Sequence, residues 1–354
     1  MRRPPWWLIL VLAATVASIA LALGWRSRPP LAASPRPAWS VALPGRARLE
    51  PAAGQGLVVW GGWGAEAIGV HGHDRLSVPG PVQAVAGGGT ELWTAAGSRV
   101  VATTALGWWS WQLPGVVASL WPAGSGALAE VRQGTASQLI QMSAQGQPQW
   151  YVDIAASVAW STCTAPSGQA VVLGGLDAGG NAVSLGGLLS GHGWRWRWAP
   201  PGDGPVLAVA CGQDGTTWWL LPHRLAHLNA GGQLLWQADL VGAAAGLATG
   251  PGAVTLVSTG INWWWRPVTL VTAVGATGTV LWARRLAGRP LGRGVVPDGQ
   301  GWAAVTTAGV WYVGPDGAAA LVSRGQPDGW TGQAAGLGLL EGRELVWYPA
   351  PDGP

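Results

Sequence analysis

The chain of 354 residues contains no Phe, three Tyr and two Cys, and all 20 of its basic residues are Arg, so Lys is missing as well. Charged residues are only 10% of the whole against 49% hydrophobic, which excludes a disordered polymer and leaves enough apolar surface for a substantial core. The 57 Gly and 27 Pro exclude an all-helical fold, because both residues penalise helix interiors. The lack of Lys and Phe, set against 27 Trp, fits a nucleotide bias acting on codons. Trp then fills aromatic positions that Phe or Tyr would otherwise take, and its abundance alone does not mark a binding surface.

The formal charge of +4 and the pI near 9.8 point to nucleic acid only until the charges are placed. Arg2, Arg3, Arg26, Arg28 and Arg36 lie at the start, which leaves 15 Arg against 16 acids from position 37 onward, a net of −1. A neutral body offers no electrostatic steering to phosphate, so nucleic acid is not an expected partner.

One long apolar run is present. Between Arg3 and Arg26 no residue is charged, and Trp6 to Leu23 (WWLILVLAATVASIALAL) is long enough as a helix to cross a bilayer core of about 30 Å. Trp6, Trp7 and Trp25 sit where interfacial aromatics lie. The expectation is a single N-terminal transmembrane helix over 1–25, N-terminus cytoplasmic and the rest extracytoplasmic. The alternative is a cleaved secretory signal, for which Ala20-Leu21-Ala22 supplies an A-x-A site. No Cys follows the run to carry a lipid, and Arg2-Arg3 lacks the flanks of a twin-arginine signal. Residues 26–37, rich in Pro, Arg and Ser, read as a semi-rigid spacer.

From 38 to 354, short β-favouring runs alternate with Gly, Pro and Asp-Gly punctuation, and no stretch sustains a helical stripe. One set of runs carries Trp39, Leu76, Trp111, Trp150, Trp196, Trp236, Trp282 and Leu321, at intervals of 37, 35, 39, 46, 40, 46 and 39. A period of about 40 matches a four-stranded propeller blade. A second set, LVVW at 57, ELWT at 91, ALAEV at 127, AVVLG at 170, TTWWLL at 216, AVTLVS at 253, WAAVTT at 302 and ELVWY at 344, also counts to eight. The fold class expected is all-β, an eight-bladed β-propeller, with seven blades as the alternative count. The last unit stops short of its Trp-bearing strand, whereas AWSVALP at 38–44 has that strand and nothing before it. A propeller must join its ends or expose sheet edges, so 38–44 is expected to complete the final blade.

Three units place Gly four positions before Trp: Gly146 to Trp150, Gly232 to Trp236 and Gly278 to Trp282. Gly107 to Trp111 keeps the spacing, and Gly72 to Leu76 and Gly317 to Leu321 keep it with Leu. Gly supplies positive φ in a tight connection, and the Trp beyond it lies on the outer strand, where its face can fill the wedge between blades. With residues 213–240 (QDGTTWWLLPHRLAHLNAGGQLLWQADL), these turns resemble the pyrrolo-quinoline quinone (PQQ) repeat family. The resemblance implies an eight-bladed propeller; it does not by itself imply a bound cofactor, because many proteins with this repeat bind none.

Candidate chemistry is sparse. A quinone-dependent dehydrogenase needs clustered acids and amides around calcium, a base and commonly neighbouring cysteines. Here the acids are scattered, and Asp203, Asp214, Asp298, Asp316, Asp328 and Asp352 sit in Asp-Gly turns. Cys163 and Cys211 occupy matching positions in successive units on innermost strands. They are either a disulfide, which would stabilise by roughly 4 kcal/mol in the chain-entropy model, or two buried thiols. His71 and His73, and His223 and His227, have metal-like spacing without a third ligand, which favours surface or turn histidines. In Trp194-Arg195-Trp196-Arg197-Trp198, alternation puts three indoles on one face of a core strand. Trp263-Trp264-Trp265-Arg266 differs, because three consecutive Trp cannot share one face, so at least one is exposed and suited to a sugar or a protein partner.

The function expected is a membrane-anchored extracytoplasmic propeller, a non-catalytic protein-binding or scaffolding module without cofactor or metal, whose partner is another envelope protein or a glycan. The alternatives are a carbohydrate-binding module using exposed Trp and a quinone-dependent dehydrogenase-like enzyme. If the N-terminal segment is cleaved, the protein is secreted.

Overall fold

The computed structural model describes residues 36–350 apart from 52–55, 74, 89–90, 124–125, 156, 166–167, 177–181, 191–192, 201–204, 213, 251–254, 264–265, 299–300 and 334. The apolar segment and most of the spacer lie outside the described residues. Among the described residues no helix is long and apolar enough to cross a membrane.

The strands pair into eight antiparallel sheets of four. In chain order the sheets, here blades 1 to 7, run over 47–79, 84–112, 116–155, 158–198, 208–239, 243–287 and 290–323, each a simple meander. Blade 8 takes three strands from the C-terminal end (Gly329–Gln333, Gly336–Glu341, Glu344–Pro349) and its fourth from the start of the body, Trp39–Ala42. The first strand of every blade touches that of the next, and 329–333 meets 47–51, so the ring closes around a central channel. The fold is an eight-bladed β-propeller.

Each second strand is covered on both sides, which is why it reads as an unbroken apolar run rather than an alternating one. In Leu57–Gly61, Leu57 and Val59 pack toward blade 8 with Leu340 and Trp347, while Val58 packs toward blade 2 with Val85 and Leu92. Trp218 and Trp219 divide in the same way, Trp219 into the core shared with blade 4 and Trp218 into the core shared with blade 6. Eight such cores result, one at each blade interface. One sequence assignment shifts by a strand. ELVWY at 344 belongs to the third strand of blade 8, and the second is Gly336–Glu341, whose Gly content hides its apolar character.

Trp39, Leu76, Trp111, Trp150, Trp196, Trp236, Trp282 and Leu321 all stand on outermost strands. The Gly that receives an indole is not the one four residues before it but the equivalent Gly of the following blade. The indole N–H of Trp39, Trp196, Trp236 and Trp282 donates to the carbonyls of Val70, Ala230, Ala276 and Pro315, at 2.8, 3.0, 2.8 and 2.7 Å. Two residues beyond each carbonyl, Gly72, Gly232, Gly278 or Gly317 lies under the ring. A Cβ there would approach the indole to between 2.5 and 3.1 Å, and φ is between 74° and 83°, so both space and conformation require Gly. Trp111 makes no such contact: the ring-side neighbour of Gly146 is Cβ of Trp109.

The closing strand is held twice. Trp39, Ser40, Val41 and Ala42 pair with Trp347, Val346, Leu345 and Glu344, and the Trp39 indole both stacks on Trp347, with centroids 6.0 Å apart, and reaches Val70 of blade 1. Trp39→Ala is therefore expected to destabilise the ring by about 3 kcal/mol, the lower end for losing a packed Trp, measured by urea unfolding. Deleting 1–44 should expose the edge of Glu344–Pro349 and yield soluble aggregates in light scattering. A monomeric chain of unchanged stability after that deletion would refute the closure account.

Candidate functional site

Three regions carry chemistry: the channel, an aromatic-histidine stack in blade 5, and the outer wedges between blades. The channel is lined by first strands, which present small and hydroxylated residues because eight strands converge there. One cavity of about 640 Å3 includes Glu50, Thr164, Cys211, Thr249 and Asp328, and another of about 580 Å3 includes Arg48, Glu50, Trp160 and Gln169. Arg48 lies over the Trp60 ring at 5.0 Å, and Thr249 donates to the carbonyl of Cys211 at 3.1 Å. Trp160 is held by its N–H on the Val206 carbonyl at 3.0 Å and crosses so close over Gly174 that no side chain fits there.

Cys163 and Cys211 are joined by a disulfide across the first strands of blades 4 and 5, with Cα atoms 5.7 Å apart. Both border the channel cavity. The bond staples two adjacent blades at the narrow end of their wedge, and Trp196 latches the same pair at the wide end.

His227 lies on the third strand of blade 5, opposite Trp218 on one neighbour and Trp236 on the other. Its ring stacks on Trp218 at 4.0 Å and meets Trp236 edge-on at 5.4 Å, and only 2% of the residue is exposed. Burial pushes its pKa below the usual histidine value and outweighs the attraction of Asp214. Burial thus favours the neutral imidazole in the folded protein. His223 is exposed in the preceding turn, near the Gly242 carbonyl at 3.3 Å, and His71 and His73 are exposed in the last hairpin turn of blade 1. Among the described residues no three His, Cys, Asp or Glu side chains could hold a metal ion.

Glu130 is a buried acid on the second strand of blade 3. Its Oε1 accepts two N–H bonds from Arg132, at 3.0 and 3.1 Å, and burial raises its pKa despite them. The turn acids have structural work. Asp214 accepts from the Thr216 amide and hydroxyl, Asp316 from the Ala318 amide and Asp328 from the Gly342 amide. Of these acids Asp328 also borders the channel cavity, beside Glu50.

The five-residue stretch Trp194–Trp198 departs from strict alternation: a register shift between Leu188 and Leu189 turns Trp194 to the core shared with blade 3, under Arg197 at 5.2 Å, so the three indoles do not share one face. Arg195 and Arg197 are exposed, while Trp196 and Trp198 pack on Trp219 at 6.1 and 5.7 Å. Trp264 and Trp265 lie outside the described residues. Trp263 ends a strand of blade 6 opposite Arg266, and Arg266 is exposed. The reading missed the outermost strand of blade 2, Gly107–Gln112 (GWWSWQ), where Trp108 is 63% exposed and Trp109 and Trp111 are each 37% exposed. Adjacent Trp108 and Trp109 must face opposite sides, so the argument applied to 263–265 would have found them.

By sequence, the chain matches no family model and no curated protein. Solved structures match the fold. BamB from Moraxella catarrhalis superposes with TM-score 0.55 at 16% identity, over 89% of this chain and 99% of that one. A chain of the Mitotic Checkpoint Complex gives TM-score 0.55 at 11% identity, over 90% and 96%. The Pan2 WD40 domain of Neurospora crassa gives 0.50 at 10% identity, over 77% and 90%. At these identities the likeness establishes the propeller architecture alone.

Stability should fall as the medium is acidified below about pH 6.5, the unperturbed histidine value, because the unfolded chain then binds a proton that buried His227 refuses. Above that pH the residue contributes no dependence. Urea midpoints from pH 7.5 to 5 should show the drop, and His227→Phe should flatten it. Reduction of Cys163–Cys211 should cost up to about 4 kcal/mol, read from unfolding with and without dithiothreitol.

Proposed function

We propose that this protein is a membrane-anchored, extracytoplasmic β-propeller of the PQQ-like repeat kind that acts as a protein-binding scaffold in the cell envelope. The observation that carries this reading is the combination, in one chain, of an uncharged run over Trp6 to Leu23 and a closed ring whose exposed edges bear large apolar side chains. The run is long enough to anchor the chain in a bilayer, and a disulfide between Cys163 and Cys211 suits an oxidising compartment. The Gly-x-x-x-Trp hairpins support assignment to the PQQ-like repeat.

A binding role fits the distribution of groups better than catalysis. Asp214 and Asp316 bond within turns, Glu130 is held by Arg132, the histidines are exposed or packed between indoles, and the hydroxyl-lined channel cavities hold Glu50 and Asp328 but no histidine or free cysteine among the described residues. Outward-facing indoles and aliphatic side chains, by contrast, are the groups that dominate protein interfaces.

Expression in a bacterial host with an outer face accessible to protease checks this directly. The full chain should sediment with membranes, resist carbonate extraction and be digested from outside, and a chain lacking 1–25 should lose membrane association. In-cell crosslinking should trap a discrete protein adduct. Recovery of the full chain in the cytosol would refute the location, and absence of any protein adduct would refute the scaffold.

A further inference from the structure

Among the described residues four blade interfaces are latched by an indole on the next blade's glycine turn, and the interface between blades 1 and 2 lacks both halves of that latch. The outermost strand of blade 1 carries Leu76 where latched blades carry Trp. Blade 2 joins its third and outermost strands through Ala105 and Leu106 alone, whereas blade 5 uses residues 229–233 and thereby offers a carbonyl and a glycine face. With no ring to fill it and no turn to receive one, the wedge stays open as a cleft of about 400 Å3.

Its walls are Val78, Pro79, Pro81 and Val82 on the side of blade 1, and Val101 and Thr103 on blade 2, with Trp108 paired beside Thr103. This is apolar surface on an outer face of the ring, and Trp108 remains 63% exposed. Arg99 stands on the same face of the strand as Val101 and Thr103, at the far end of the cleft, and is exposed. Its guanidinium has no acid or carbonyl partner among the described residues.

The latched wedges indicate what fits such a space: one flat aromatic ring inserted edgewise between blades. The lone cation indicates the charge of what lies beside it. We propose that the cleft between blades 1 and 2 docks an extended segment of a partner protein, which inserts an aromatic side chain between Val78 and Val101, beside Trp108, and pairs a carboxylate with Arg99. The inference rests on the protein-binding reading above. Two residues of strand separate Val101 from Arg99, about 7 Å, so ring and carboxylate lie about two residues apart in the partner. A sugar fits less well, since it needs polar side chains around its platform, and hydrocarbon makes up most of these walls.

Selection of a displayed library of random peptides on the full chain in detergent tests this. The expected consensus is an aromatic residue with Asp or Glu at that spacing. Thr103→Trp, which fills the cleft with the chain's own indole, should weaken the selected peptide about tenfold or more. Arg99→Glu should weaken it similarly and recover affinity for the same peptide with its acid changed to Lys, a rescue that a misfolded variant would not show. Selected peptides indifferent to both substitutions would overturn the cleft and leave the scaffold reading standing. Failure to enrich any consensus would overturn the cleft as a peptide site, with the scaffold reading judged by crosslinking. Envelope polysaccharide bound by the unmodified chain and lost in Thr103→Trp would overturn the choice of a protein occupant.

Discussion

No blade of this protein can bury its own surfaces. A single four-stranded sheet with Leu57, Val58 and Val59 in consecutive positions has two apolar faces and nothing to cover them except the sheets on either side. Each blade therefore depends on two neighbours, and the dependence propagates until the ring returns to its start. An open row of the same sheets would leave one apolar face bare at each end together with unpaired strand edges. Closure follows from this requirement, and Trp39–Ala42 supplies it by completing blade 8 while its first indole reaches into blade 1.

Within that ring the outer latches act where the sheets diverge most. An indole with its N–H on a turn carbonyl and its face on a glycine fills a wedge that aliphatic side chains leave partly open. The latched interfaces form two groups, the seam between blades 8 and 1 and the run from blade 4 through blade 7. The disulfide lies in the second group, across from the seam. Outside both groups lie the interface between blades 7 and 8, where Leu321 replaces Trp, and the side of blades 2 and 3, where the exposed Trp108, Trp109, Trp111 and Tyr151 are found. The outward aromatics thus adjoin the unlatched interface between blades 1 and 2, and that side is the candidate for contact with other molecules.

The architecture was legible because its cause is periodic. Gly at a positive-φ turn and Trp four residues later recur about every 40 residues, and both have a local reason that a sequence displays. The strand reading slipped at Gly336–Glu341, where glycines interrupt a core strand. The identity of each latch partner was not legible, because the receiving Gly lies in the following blade and only the three-dimensional stacking relates the two. His227 illustrates the same limit. Its spacing to His223 suggests a metal, whereas its cross-strand register between Trp218 and Trp236 makes it a buried aromatic spacer. The open wedge was still less visible, since it arises from two departures, Leu76 and the shortened Ala105-Leu106 turn, which become one feature only when the blades are adjacent.

The pairing of Trp39 with Trp347 has a temporal consequence. The first strand of the body to be synthesised must wait, unpaired, for almost the entire remainder before its hydrogen-bonding partner exists. Contacts of such long sequence separation form late and slowly, and every nascent intermediate carries a sticky border. If the apolar N-terminal run stays in the bilayer, that waiting strand is held against the membrane surface, away from other nascent copies, until the final meander arrives. Retention of the leader would then serve assembly as well as location.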